Sequence, residues 1–133
     1  MKETQQSSSK RAGTTAARLR IFIAEDEFLL AVMLEDDLRD NGFDVVGFYS
    51  RLQDAREAAA TEAFDLAVLD INMNGEMAYP IADVLIERGI PFVFLSGYGN
   101  VTLPERLKAV PCIAKPCDPV QLLAEIKRLS APH

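Results

Sequence analysis

No apolar run in this 133-residue sequence approaches the roughly 20 residues that a bilayer-spanning helix needs. A secretory leader is not expected either, because residues 1–18 are polar, rich in Ser, Thr and Ala, and lack an apolar centre. A cytoplasmic location is the resulting expectation. Metal-ligating side chains of the soft kind are scarce: the two cysteines, Cys112 and Cys117, stand five positions apart, and the single histidine is His133. That spacing is not a thioredoxin-type C-x-x-C, and the set is too small for a structural zinc site. Both cysteines read as reduced packing residues, with one short-range disulfide as the alternative. Positive charge is scarce outside the first 20 residues. Lys2, Lys10, Arg11, Arg18 and Arg20 against Glu3 give that stretch +4, so the remainder carries −10 of the total −6. An acidic body repels a phosphate backbone, which argues against nucleic-acid binding by the folded part. The basic stretch, residues 1–18, is expected to be a disordered tail whose charge is incidental.

What is present fits one soluble domain over residues 19–130, with 131–133 as a short tail. Its 49% hydrophobic and 26% charged composition is ordinary. "LRIFIAE" (19–25) is nearly continuous in apolar residues, which suits a strand covered on both faces. Residues 26–42 then place Leu30, Met33, Leu34 and Leu38 at helical spacing and stop at Asn41-Gly42. Strand character returns at 43–49, 65–70, 91–96 and 112–115. Helical character returns at 51–63, 78–89 and 118–129, the last with Asp118 as N-cap and Pro119 at its first position. Between the last two strands, "GYGNVTLPERLKAVP" holds two glycines and two prolines, so a helix there is limited to about two turns. Strict alternation predicts an α/β fold: a doubly wound, five-stranded parallel sheet with right-handed crossovers and a shortened fourth helix.

In such sheets the working site lies beyond the carboxyl ends of the strands. Those ends carry Glu25-Asp26-Glu27, Asp70 followed by Asn72, Ser96, and Lys115-Pro116. Clustered carboxylates repel one another unless a cation joins them, and all-oxygen ligands favour a hard ion such as Mg²⁺. With a phosphoryl group neutralised by metal on one side and Lys115 on the other, and Ser96 donating to a phosphoryl oxygen, Asp70 can serve as nucleophile and form an aspartyl phosphate.

This pattern resembles the CheY-like receiver domain of two-component response regulators across nearly all of 19–130, a flavodoxin-like (βα)5 fold. The resemblance implies that Asp70 is the phosphoacceptor, that Glu25 and Asp26 are the acidic metal pair, and that Asn72 offers a backbone carbonyl to Mg²⁺. It implies that Ser96 is the switch hydroxyl and Lys115 the phosphate-facing lysine, whose bond to Pro116 is usually cis. The stretches "NGEMAYPIAD" and "PFVFLSGYG" resemble the subfamily named for its Phe-Ala-Thr-Gly-Tyr signature, with Leu95-Ser96 in place of Ala-Thr. Members of that subfamily are mostly single-domain receivers working with histidine kinases, often of the HWE class. Cys112 occupies the position where ordinary receivers carry an aromatic switch, and Tyr98 is the expected substitute. Asn72 and Tyr98 are expected to tune the lifetime of the acylphosphate.

The expected function is therefore a single-domain, monomeric response regulator. It takes a phosphoryl group from a sensor histidine kinase or a histidine phosphotransfer protein, and acts by protein contact or as a phosphate sink. It is not expected to be an enzyme beyond self-catalysed acceptance and slow loss of that group. One alternative is a receiver-like binding platform that is never phosphorylated. A haloacid-dehalogenase-type phosphohydrolase is a weaker one, since it needs a second acid two residues after the nucleophile, where Asn72 stands. Each residue also has a blander explanation: Glu25-Asp26-Glu27 as a solvated first helical turn, Asp70 as a cap, Lys115 as a surface lysine. Met73 and Met77 are expected in packing, and Gly75 in the loop after Asp70.

Overall fold

The computed structural model describes residues 18–97 and 102–130. The basic stretch 1–17, Tyr98 and residues 131–133 lie outside them, so the expectations for the tail and for a Tyr98 switch are not met or refuted there. Five parallel strands form one sheet: β1 (Arg20–Ala24), β2 (Asp44–Tyr49), β3 (Leu66–Asp70), β6 (Phe92–Ser96) and β7 (Cys112–Ala114), in the order β2-β1-β3-β6-β7. Two further strands, β4 (Asn72–Met73) and β5 (Glu76–Met77), pair antiparallel as a separate hairpin. The helices are α1 (Phe28–Asp40), α2 (Leu52–Thr61), α3 (Tyr79–Arg88) and α4 (Pro119–Ser130).

The central strands are apolar throughout because both of their faces are covered. Along β1, Ile21 and Ile23 join Leu34, Leu38, Leu122 and Ile126 of α1 and α4, whereas Phe22 and Ala24 face Ala55, Ala59, Ile81 and Leu85 of α2 and α3. The same alternation runs through Leu66/Val68 against Ala67/Leu69 in β3, and Val93/Leu95 against Phe92/Phe94 in β6. Phe22 stacks between Tyr49 and Phe64, with centroids 5.2 and 4.7 Å away. The alanines of α2 let that helix lie close to α3. Arg88 of α3 donates to the carbonyls of Ala59 and Glu62, at and just beyond the carboxyl end of α2, while its guanidinium lies over the Phe64 ring.

The segment between β6 and β7 holds, among its described residues, a single 3-10 turn (Glu105–Leu107), within the length that its prolines and glycines allow. Fully buried Leu107 anchors it, and Arg106 pairs both carboxylate oxygens of Asp83 on α3 at 2.9 and 3.0 Å. Asp118 caps α4 as expected, accepting from Val120 N–H at 2.9 Å. Of the residues expected in packing, Met73 is buried and Cys117 packs against the core, but Cys112 is exposed and Met77, on the small hairpin outside the sheet, is 38% exposed. Met33, at helical spacing with the buried stripe of α1, is 54% exposed because the helix buries Ala31 instead. Among the described residues, no helix is long and apolar enough to cross a membrane.

Candidate functional site

The site is assembled from the ends of β1, β3, β6 and β7. Glu25 N–H donates to Tyr49 O at 3.0 Å, so the β1–β2 ladder runs one residue past Ala24 and delivers the Glu25 carboxylate to the sheet edge. Asp70 is the last residue of β3. Its Oδ1 accepts from Asn72 N–H at 3.2 Å, a turn that fixes the carboxylate as the chain leaves the sheet. Ser96 ends β6 beside it, and Ser96 O accepts from Lys115 N–H at 2.8 Å, which carries the β6–β7 pairing on to Lys115. The Lys115–Pro116 bond is cis, as the resemblance implies.

Among the described residues, the buried polar or charged ones are Glu25, Asp70 and Ser96. Three of the strand ends thus spend their burial on groups that gain nothing from it unless they are paired. Lys115 Nζ does the pairing: it lies 2.9 Å from Asp70 Oδ2, 3.2 Å from Glu25 Oε1 and 3.2 Å from Glu27 Oε1. Glu25 Oε2 lies 3.1 Å from the same ammonium, yet its orientation leaves it without a hydrogen bond of good geometry, a buried acceptor still wanting a donor or a cation. Carboxylate oxygens of Glu25, Asp26 and Asp70 all fall within 4.8 Å of one another. Asp26 is held from outside the sheet, where Asn74 N–H donates to its Oδ2 at 2.9 Å.

The protonation equilibria follow from this crowding. Burial, reinforced by the nearby Asp70 charge, pushes Glu25 up to about 8 against the relief given by Glu27 N–H and Lys115. Asp70 is also raised, first by burial and also by its hydrogen bond with Asp26, although Lys115 opposes the shift. Burial acts on Asp26 as well, but hydrogen bonds with Asp70, Glu25 and Asn74 N–H outweigh it and hold Asp26 below the ordinary carboxylate range. Burial alone would lower Lys115, yet Asp70 and Glu25 raise it overall, so it stays an ammonium. The cluster holds more carboxylate than one lysine can neutralise.

Glu25, Asp26, Asp70, Ser96 and Lys115 are therefore brought together, with Asn72 directly after Asp70. Cys112 is exposed at the start of β7, and partial desolvation of its sulfur against the sheet raises the thiol. Two features escaped the sequence reading. One is Glu27, whose contact to Lys115 cannot be seen from a run of three acids. The other is the hairpin that carries Asn74 to Asp26, for which Asn74-Gly75 was a usable signal: Asn-Gly is the favoured pair of a two-residue hairpin turn. Both have positive φ, 55° and 88°.

A fold with its acids, hydroxyl and lysine at one sheet edge is that of a signal receiver, and the response regulator receiver domain family matches residues 21–127. The chain belongs to that family. It is 30% identical over 112 residues to the transcriptional regulatory protein PdtaR of Mycobacterium tuberculosis, a match covering 81% of this chain and 55% of that one. The chain spans about half the length of the curated relatives it matches. Among solved structures, SdrG from Sphingomonas melonis Fr1 is 32% identical with a TM-score of 0.76, covering 88% of this chain and 100% of that one. The PhyR receiver domain of Erythrobacter litoralis is 27% identical with a TM-score of 0.70, covering 87% and 95%. A CheY-like receiver domain from Methanospirillum hungatei JF-1 shares the fold at 21% identity, with a TM-score of 0.74 and coverage of 84% and 93%.

Proposed function

We propose that this receiver accepts a phosphoryl group on Asp70 from a phosphohistidine of a sensor kinase or a histidine phosphotransfer protein. The observation that carries the reading is the buried Asp70 carboxylate 2.9 Å from Lys115 Nζ, two groups 45 residues apart in sequence. In water such a pair stabilises little. Buried together, they form a preset anion site with a nucleophile on one wall. Glu25, Asp26, Asp70 and the Asn72 carbonyl are the groups suited to hold Mg²⁺, and the unsatisfied Glu25 Oε2 and the excess of carboxylate fit a hard cation. When bound, the ion supplies charge neutralisation for the phosphoryl oxygens.

Lys115 takes one side of the incoming group, and Ser96 offers a hydroxyl at the same edge. A protein donor has somewhere to rest, because Phe28 and Leu29 are exposed on α1 and Leu29, Leu30 and Met33 line the cleft beside Asp26 and Asp70. Output by protein contact or by draining phosphoryl groups from a kinase both fit a module whose chemistry is confined to this edge. A binding platform without phosphorylation has no use for three buried polar groups that cost desolvation.

The test is intact mass spectrometry after incubation with Mg²⁺ and phosphoramidate. Wild type is expected to gain one phosphoryl group, Asp70→Asn none, and EDTA added beforehand should abolish the gain. Equal modification of both proteins would exclude Asp70 as acceptor.

A further inference from the structure

Glu27 differs from the two acids before it. It precedes α1, where a side chain commonly caps the helix, yet it makes no capping hydrogen bond. Its side chain is 65% exposed, lines the cleft, and turns to Lys115 instead, with Oε1 at 3.2 Å from Nζ. The Glu27 N–H is itself spent on Glu25 Oε1 at 3.0 Å, which fixes the backbone so that the side chain hangs over the mouth of the pocket.

An ammonium has three donors, and here three carboxylates surround it: Glu25, Asp70 and Glu27. A phosphoryl oxygen reaches Lys115 only when one of them yields. Glu25 is fully buried and Asp70 is 3% exposed and proposed as the nucleophile, so neither can leave. Glu27 can, because water takes over its solvation. We infer that Glu27 is an electrostatic gate. It holds Lys115 until a phosphoryl group displaces it, and it disfavours small anionic donors in proportion to their charge. The inference deepens the proposed phosphoryl acceptance and rests on it.

In the transfer, an Asp70 oxygen bonds to phosphorus as the bond from phosphorus to the leaving group breaks. Acetyl phosphate releases acetate with its electron pair, and zwitterionic phosphoramidate releases ammonia already carrying its proton. Glu27 touches neither bond, so its effect is on approach and on the availability of Lys115. That effect must scale with donor charge, and acetyl phosphate is a dianion where phosphoramidate is a monoanion.

The experiment is an intact-mass time course at subsaturating donor for wild type, Glu27→Gln and Asp70→Asn, with both donors and at several KCl concentrations. Glu27→Gln is expected to be phosphorylated about three- to tenfold faster by acetyl phosphate, the range for one partly screened charge, and by a smaller factor with phosphoramidate. Acceleration by salt should be shallower than in wild type, which a loss of helix capping would not produce. Equal or slower modification of Glu27→Gln, or equal gains with both donors, overturns the gate while leaving Asp70 phosphorylation standing. Silence of both wild type and Glu27→Gln removes the phosphoryl-acceptance reading and the gate with it. A silent wild type beside a modified Glu27→Gln supports the gate.

Discussion

At the scale of single residues, Glu25 is the group under most tension. It is fully buried, one of its oxygens lacks a well-aligned donor, and its pKa stands at about 8 against an ordinary 4.5. A carboxyl whose folded pKa is raised favours the folded state most when protonated. Its contribution is complete below pH 4.5 and is lost as pH climbs to about 8. Asp70 shifts in the same direction, whereas Asp26 is lowered and titrates below this window. In EDTA, the melting temperature of wild type should therefore fall between pH 5 and 8 relative to that of Glu25→Gln, which has nothing to ionise at this position. Parallel pH profiles for the two proteins, measured by calorimetry, would show that Glu25 is not held protonated. Chain position alone marks Glu25 as one of three acids; only the ladder bond to Tyr49 shows that it is the one driven inside.

At the scale of elements, the β4–β5 hairpin does for Asp26 what the sheet does for Asp70. Its two-residue turn puts Asn74 N–H on Asp26 Oδ2, and Asn72 Oδ1 accepts from Gly75 N–H at 2.7 Å to hold the turn. Gly75 has φ +88°. Gly75→Ala should destabilise the fold by about 1–2 kcal/mol, the usual penalty for a side chain in that region. It should also weaken Mg²⁺ binding about tenfold, as losing an outer contact to a metal ligand does. Isothermal calorimetry separates the two effects, and unchanged Mg²⁺ affinity would mean that the hairpin does not orient Asp26. The three central strands were legible because burial on both faces leaves unbroken apolar runs, and the two edge strands, β2 and the three-residue β7, because they complete the alternation with helices. The hairpin was not, because strands of two residues have no period to read. The strand-end acids and Lys115 were legible through topology: each is unremarkable alone, and alternation of strands and helices says that they converge. Which acid reaches Lys115 is a matter of side-chain direction, and no spacing rule encodes it, so Glu27 stayed hidden. Met33 misled for a related reason: it lies next to the buried stripe of α1, and a 3.6-residue period does not separate the edge of a stripe from its centre.

At the scale of the whole molecule, the proposed Mg²⁺ site would couple metal binding to the stability of the fold through the charge at the strand ends. A ligand that binds only the folded chain stabilises it by RT ln(1 + [L]/Kd), about 2.7 kcal/mol at a hundredfold excess over Kd. For a domain of this size that corresponds to a rise in melting temperature on the order of 10 °C. If Glu25 is a ligand as proposed, Mg²⁺ competes with its proton, and its affinity should fall as pH drops below about 8, by about tenfold per unit while that proton has to leave. The apo protein and the metal-bound protein should then respond to pH in opposite senses: raising pH weakens the first and strengthens the advantage of the second. Melting curves with and without saturating Mg²⁺ should diverge from pH 6 to 8.5, with the gap nearly absent in Glu25→Gln at every pH. A gap of constant size in wild type would mean that the ion binds away from the Glu25 carboxylate. A gap that persists in Glu25→Gln would place the binding energy on Asp26 and Asp70 alone. Glu25, Asp26, Asp70 and Lys115 behave as one titrating unit only if the gap opens with pH and closes with that single substitution.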